Sequence, residues 1–360
     1  MLSRLAKSIK EYTAGEQPGE GYIKLNTNEN PYPPSPLVAS AIKAADTSRL
    51  KLYPDPECTQ LKETLAKLHG LSPENIFVGN GSDEVLAFCF AAFYDNTGEP
   101  LLFPDITYSF YPVYAALFGI PYRQIPVRED LTIDMSSYSG GQGIVLANPN
   151  APTSIALSKD EIEQIIKKNP DKPIITDEAY ADFSDCSVVE LVTKYPNLCV
   201  ARTFSKSYSL AGLRVGYAAA SPELIAGIKK IKNCFNSYTV GLLSQTAAKA
   251  ALEDAEYHAE CVQKIIRTRE RVTYILRSEG FTVPESGANF LYITKNGVNM
   301  REVYLRLKER KILVRYFGLP RINNYLRVTV GTDAEMDEFV KELLKAENKE
   351  VFIPQATAPL

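Results

Sequence analysis

The sequence predicts an α/β fold built on a mostly parallel central sheet flanked by helices, with a smaller α/β unit after it. Three observations carry this. Apolar segments alternate along the chain with stretches of helical periodicity. Three of those segments end in polar residues, at Asn148–Asn150, at Asp177 and at Ser205–Lys206. The steps from Asn148 to Asp177 and from Asp177 to Lys206 are both 29 residues, the length of one strand–helix–strand unit. Right-handed crossovers then bring the three polar ends to one edge of the sheet, where open α/β sheets bind ligands.

The elements follow in chain order. "NENPYPPSP" (Asn28–Pro36) is too rich in proline for a helix and reads as extended. "VGNGSDEVLAF" (Val78–Phe88) sets glycines and a serine before an apolar helical pattern. That is either a plain capped turn or a phosphate cradle of free N–H groups at a helix start. It is no dinucleotide fingerprint, because Glu84 stands where G-x-G-x-x-G needs its last glycine. "GIVLAN" (Gly143–Asn148), "KPIITDEAY" (Lys172–Tyr180) and "LCVARTFSK" (Leu198–Lys206) are the three strands with polar ends. Between the first two lies the helix Ser158–Asn169, with a Ser158/Glu161 capping box and Ile162, Ile165 and Ile166 on one face. A long helix then runs to Gly280, which caps it. Strand "NFLYIT", helix "MREVYLRLKERK", strand "YLRVTV" and helix "DAEMDEFVKELLKAEN" complete the smaller unit, the last helix opening on a Thr332/Glu335 capping box. The division is an arm (1–45), a large domain (46–260) and a small C-terminal domain (261–360).

Composition narrows the function. The 360 residues carry a formal charge of −3, which gives no general attraction to nucleic acid or to an anionic membrane. No apolar run approaches the ~18 residues of a membrane span. "MLSRLAKSIKEY" lacks the apolar core of a secretory signal, and Glu11 and Glu16 speak against a transit peptide. The six cysteines form no C-x-x-C and read as buried, reduced thiols of a cytoplasmic protein. His69 and His258 are the only histidines, too few for a histidine-rich metal site, and no metal is expected. "ITDEAY" has the look of an ATPase's acidic strand end, but the chain has no G-x-x-x-x-G-K-[ST] to go with it.

The chemistry centres on "RTFSKSYSLAGLRVGY" (Arg202–Tyr217). It holds one lysine, Lys206, and no acid after Arg202 to pair with it. A lysine in a small, apolar run at the convergent sheet edge is partly desolvated, and desolvation favours the neutral, nucleophilic amine. Such an amine near an acid suits Schiff-base chemistry. Arg214, eight residues on, can hold a phosphate.

Here the sequence resembles the fold-type I aminotransferases that use pyridoxal 5'-phosphate, and most closely the histidinol-phosphate aminotransferase family. "LNTNENPYPPSP", "YPDP", "GNGSDEV", "ITYSFY", "NPNAPT", "TDEAYADF", "RTFSKSYSLAGLRVGY" and "LRVTVGT" stand in the family's order and span nearly the whole chain. The resemblance implies a large cofactor-binding domain and a smaller one. It implies ping-pong transamination between glutamate and imidazole acetol phosphate, a step of histidine biosynthesis, in a cytoplasmic homodimer. Lys206 would bond to the cofactor aldehyde and then shuttle the substrate proton. Asp177 would pair with the ring nitrogen, Tyr180 would hydrogen-bond the ring hydroxyl, and Tyr108 would stack on the ring. The backbone of Ser82 and Asp83, with Ser205 and Arg214 and the help of Thr203, would hold the cofactor phosphate, joined by Tyr53 from a partner subunit. Arg327 would grip the glutamate carboxylate and, with Arg315, the phosphate of histidinol phosphate, while Tyr12 would touch substrate.

The sequence departs from the family pattern in one motif. "NPNAPTS" puts Ala151 where an asparagine contacts the ring hydroxyl, and Ser154 where a glycine stands. Asn150, or else Asn148, would take over that contact. Two other activities on the same fold stay open: an aromatic or broad-specificity aminotransferase, and a phosphothreonine decarboxylase. A ligand-binding regulator would need a DNA-binding domain, for which the arm leaves no room.

Overall fold

A computed structural model of the chain describes residues 1–96 and 98–347. Its strands in chain order are β1 (Ile23–Lys24), β2 (Ile76–Gly79), β3 (Leu101–Pro104), β4 (Tyr122–Ile125), β5 (Gly143–Ala147) and β6 (Ile174–Asp177). They continue as β7 (Leu198–Thr203), β8 (Gly216–Ala220), β9 (Phe290–Ile293), β10 (Ile312–Leu313), β11 (Arg315–Tyr316) and β12 (Leu326–Thr329).

Strands β2 to β8 form one sheet in the order β2-β8-β7-β6-β5-β3-β4. From β4 to β7 all neighbours are parallel, and β8 runs antiparallel to both β7 and β2. Both faces are covered, as a parallel sheet requires. Ile144, Leu146 and Ile174 point into one core, Val145, Ala147, Ile175 and Ala201 into the other. The strands β5, β6 and β7 are adjacent and in register, with Ala147 beside Asp177 and Asp177 beside Ala201. Their carboxyl ends therefore meet at one edge, as the 29-residue steps predict.

The helix Lys159–Lys168 begins with the expected capping box: Ser158 Oγ accepts from the Glu161 amide, and Glu161 returns the bond to the Ser158 amide at 2.7 Å. Ile162, Ile165 and Ile166 are buried. The helix Gly81–Phe93 follows β2 and starts at the same edge. Gly216 makes that approach possible, since a Cβ there would lie 2.4 Å from the Ser82 amide nitrogen.

A second core gathers Ile265, Val272, Leu291, Leu307, Val328 and Phe339. Around it lie the antiparallel sheet β11-β12-β9 and the helices Ala255–Ser278, Met300–Glu309 and Asp333–Glu347. Gly280 follows the first of these with φ +82°, as a C-terminal cap does. Thr332 and Glu335 exchange hydrogen bonds at the start of the last, whose expected final residue, Asn348, lies outside the described residues. The N-terminal segment joins this core: β1 pairs with β10, and Leu25 is buried in it.

Two expectations need correction. Pro36 is not extended but opens the helix Pro36–Ala44, where a proline without its N–H is tolerated and Ser35 caps the turn. Five cysteines are buried thiols, but Cys234 is exposed, near the end of the helix Pro222–Phe235. Among the described residues no helix is long and apolar enough to cross a membrane.

Candidate active site

A cavity of 410 Å³ opens at the carboxyl ends of β5, β6 and β7. Asp177 is the last residue of β6, and Lys206 lies just beyond β7, so both enter the cavity from the sheet edge. Lys206 is half-buried; its Nζ donates to the Thr27 carbonyl at 3.2 Å and lies 5.7 Å from the centre of the Tyr180 ring.

Asp177 is buried, and burial pushes its carboxyl up from 3.8 to about 6. Hydrogen bonds from the Tyr111 hydroxyl (2.9 Å) and the Ala179 amide (3.3 Å) oppose that rise. Neither donor is a cation. A carboxylate so placed suits a cationic ligand group, such as a protonated ring nitrogen.

The helix start Gly81–Asp83 faces Arg214 across the mouth. Arg214 lies at φ +52°, and its guanidinium covers Gly81 closely enough that a Cβ there would lie 2.6 Å from Nη2. Arg214 pairs with Asp83 at 2.9 Å and reaches Ser205 Oγ at 3.5 Å. Thr203 donates to Ser205 Oγ and accepts from the Ser205 amide. Free amides, hydroxyls and an arginine around one helix start make a fitting seat for a phosphate. Tyr108 closes the side, its hydroxyl donating to Asp83 at 2.8 Å.

Arg315 and Arg327 stand opposite each other in the antiparallel pair β11–β12. Like charges at such a position repel. Burial and Arg315 both push the Arg327 guanidinium down, and its enclosed Nε has no partner among the described residues. Its Nη2 donates to the Asn26 carbonyl at 2.9 Å. Arg315 donates to the carbonyls of Thr13 and Ala14, and among the described residues no carboxylate pairs with it. The pair lacks an anion and is shaped to take one. Tyr12 lies beside it, stacked on Phe110 at 4.3 Å. Past the arginines the cavity continues into a second space of 430 Å³ walled by Phe317, Leu319 and Ile322.

All the site residues expected from the sequence line this cavity except two. Asn150 turns away: its amide donates to Ile106 O and Thr153 Oγ1 and accepts from Thr107, so it holds the loop rather than a ligand. Asn148, its alternate, is bound in the same way to Leu157. Tyr53 is 80% exposed and stacks on Tyr238, outside its own chain's cavity. The sequence reading missed Tyr111, an apolar-run residue whose hydroxyl alone marks it, and the wall Asn26–Glu29. That run of four polar residues was the available signal.

The pattern of the family "Aminotransferase class I and II" matches residues 20–343. A histidinol-phosphate aminotransferase of Brachyspira hyodysenteriae is 50% identical over 95% of this chain and 97% of its own. One from Clostridium acetobutylicum is 48% identical over 94% and 96%. The solved histidinol-phosphate aminotransferase of Sinorhizobium meliloti, in complex with pyridoxal-5'-phosphate, superposes with a TM-score of 0.86 at 26% identity, covering 97% of this chain and 98% of that one. The chain belongs to the aminotransferase class I and II family and, within it, to the histidinol-phosphate aminotransferases.

Proposed function

We infer that the chain is a pyridoxal-phosphate-dependent transaminase of histidine biosynthesis. It moves an amino group between glutamate and imidazole acetol phosphate, giving 2-oxoglutarate and histidinol phosphate, or the reverse. One observation carries the substrate reading: two opposed arginines, one with an Nε that has no partner among the described residues, line the same cavity as a lysine and a buried carboxylate. The residues fit the cofactor, with Asp177 for its ring nitrogen and the Gly81–Asp83 turn, Ser205 and Arg214 for its phosphate. When bound, the cofactor supplies an aldehyde that takes the amine and a ring that accepts electrons.

The chain's own residues do the rest. Lys206 Nζ, which enters the cavity from the sheet edge, would hold the cofactor through its aldehyde and would be the amine placed to take and return the proton of the substrate Cα. Asp177 would pair with the cofactor's ring nitrogen and keep it protonated, and the Tyr111 hydroxyl donates to that carboxylate. Tyr108 would pack on the ring and Tyr180 would donate to its hydroxyl. The backbone amides of Ser82 and Asp83, with Thr203, Ser205 and Arg214, would hold the cofactor's phosphate. Arg327 takes the glutamate carboxylate; Arg327 and Arg315 together take the phosphate of the longer substrate, for which the second space gives room. Tyr12 packs beside either. Each substrate leaves before the other binds, so one arginine pair serves both.

The same reading makes the enzyme a cytoplasmic homodimer whose Tyr53 reaches the partner's phosphate seat, which accounts for its exposure. A sedimentation mass of a single chain would remove the dimer. It also divides the chain into the arm 1–45, a cofactor-binding domain 46–260 and a small domain 261–360, with β1 tying the arm to the small one.

Steady-state rates test the activity. Histidinol phosphate should exceed phenylalanine and phosphothreonine in kcat/KM by at least about tenfold, the worth of one charge-assisted hydrogen bond. Lys206→Ala should lower turnover by about 10² to 10⁴. A preference for phenylalanine would favour an aromatic aminotransferase, and release of carbon dioxide from phosphothreonine a decarboxylase.

Asp177 gives a pH test. Its folded value lies above the free one, so between about pH 4 and 6 the folded chain keeps a proton that the unfolded chain has lost. Stability from this group is therefore lost as pH rises through that window. In cofactor-free protein Asp177→Asn should raise stability at pH 7, by up to about 3 kcal/mol, and change it little at pH 4, while transamination falls. Urea denaturation at both pH values checks this; a variant less stable than the parent at pH 7 contradicts it.

A further inference from the structure

We propose that Asn28 is a positioning residue for the cofactor's ring hydroxyl, acting through Tyr180. The proposal rests on the cofactor reading above and goes beyond it, because it explains how the site works with alanine at position 151.

Ala151 is buried in a small apolar cluster with Ala288 and Phe290, against which Tyr180 packs. It offers no donor. Asn150 is bound to Ile106, Thr107 and Thr153, and Asn148 to Leu157, so neither amide is turned to the cavity. Tyr180 is left as the side chain that can donate to the ring hydroxyl, and the direction of its proton becomes decisive.

Asn28 sets that direction. Its Nδ2 donates to the Tyr180 hydroxyl oxygen at 3.0 Å. An oxygen that accepts from one side keeps its own proton for another partner. Among the described residues Tyr180 makes no other hydroxyl bond, so that proton is free for the cavity that both residues line. The orientation of the Asn28 amide is itself fixed. The Asn28 backbone N–H donates to Thr329 Oγ1 at 2.9 Å, so the threonine proton goes to Asn28 Oδ1, at 3.2 Å. With Oδ1 engaged as acceptor, only the amino side can face Tyr180. The Asn28 carbonyl accepts from Asn289 at 3.0 Å, which anchors the backbone as well. Asn28 is 1% exposed and sits at φ +57°, a conformation asparagine tolerates.

A donor at the ring oxygen draws negative charge from it. That weakens the oxygen's hold on the proton of the adjacent nitrogen, the one that joins Lys206 to the cofactor. Loss of the donor should raise the pH at which that nitrogen gives up its proton.

The visible absorbance of the purified holoenzyme, titrated with pH, reads that midpoint without turnover. Asn28→Gly suits the positive φ and removes the amide. It should raise the midpoint by about half a unit to one unit, the worth of one hydrogen bond. Thr329→Val, close in shape, frees the amide to turn over and should move it the same way. Tyr180→Phe should raise the midpoint at least as far, and adding Asn28→Gly to it should give no further shift. An unmoved midpoint in whichever single variant folds, or an equal additional shift on top of Tyr180→Phe, overturns the proposal. A parent protein with no pH-dependent visible band overturns the cofactor reading, and this proposal with it.

Discussion

Residues Asn26 to Glu29 line the site, and β12 holds that segment in place. The Thr329 amide donates to the Leu25 carbonyl, and Thr329 Oγ1 bonds both ends of Asn28. From that strap the Asn26 carbonyl accepts from Arg327, the Thr27 carbonyl accepts from the Lys206 amine, and the Asn28 side-chain amide donates to Tyr180. The Asn30 amide donates to the carbonyls of Lys206 and Ser207. One short segment thus sets the spacing between the substrate arginine of the second core and the lysine at the sheet edge. Each neutral bond is worth only about 1 kcal/mol net. The contribution lies in their common direction, since a shift of the strap moves all three functional groups at once.

The charges of the site make sense only with ligands in view. A buried carboxylate without a cation and two arginines side by side both cost stability. Asp177 and the Arg315–Arg327 pair line one cavity, so a cofactor with a cationic ring relieves the first and an anionic substrate the second. Function here is held at the expense of the free fold, as is common where a site is built in advance of its ligand.

The sheet edge was legible in the sequence because strand ends and crossover lengths obey a repeat. Asn148, Asp177 and Lys206 recur at even steps, and the parallel register turns that spacing into neighbourhood. The capping boxes were legible because they are local. The loops were not. Whether Asn150 or Asn28 faces the cavity depends on which carbonyls lie within reach after folding, and Thr107, Thr153 and Ile106 claim Asn150. Tyr111 looks like any core tyrosine until β6 brings Asp177 to it from 66 residues away. Arg315 and Arg327 came from the resemblance alone; only their pairing across β11 and β12 shows why they need an anion.

Lys206, as the residue proposed to hold the cofactor, is the group on which the chemistry of the site depends. The direct measurement is to load the protein with pyridoxal phosphate, reduce it with borohydride, digest it and weigh the peptides. The added mass should appear on the peptide that contains Lys206, in one copy per chain. Labelling spread over surface lysines, or none on that peptide, would contradict the account.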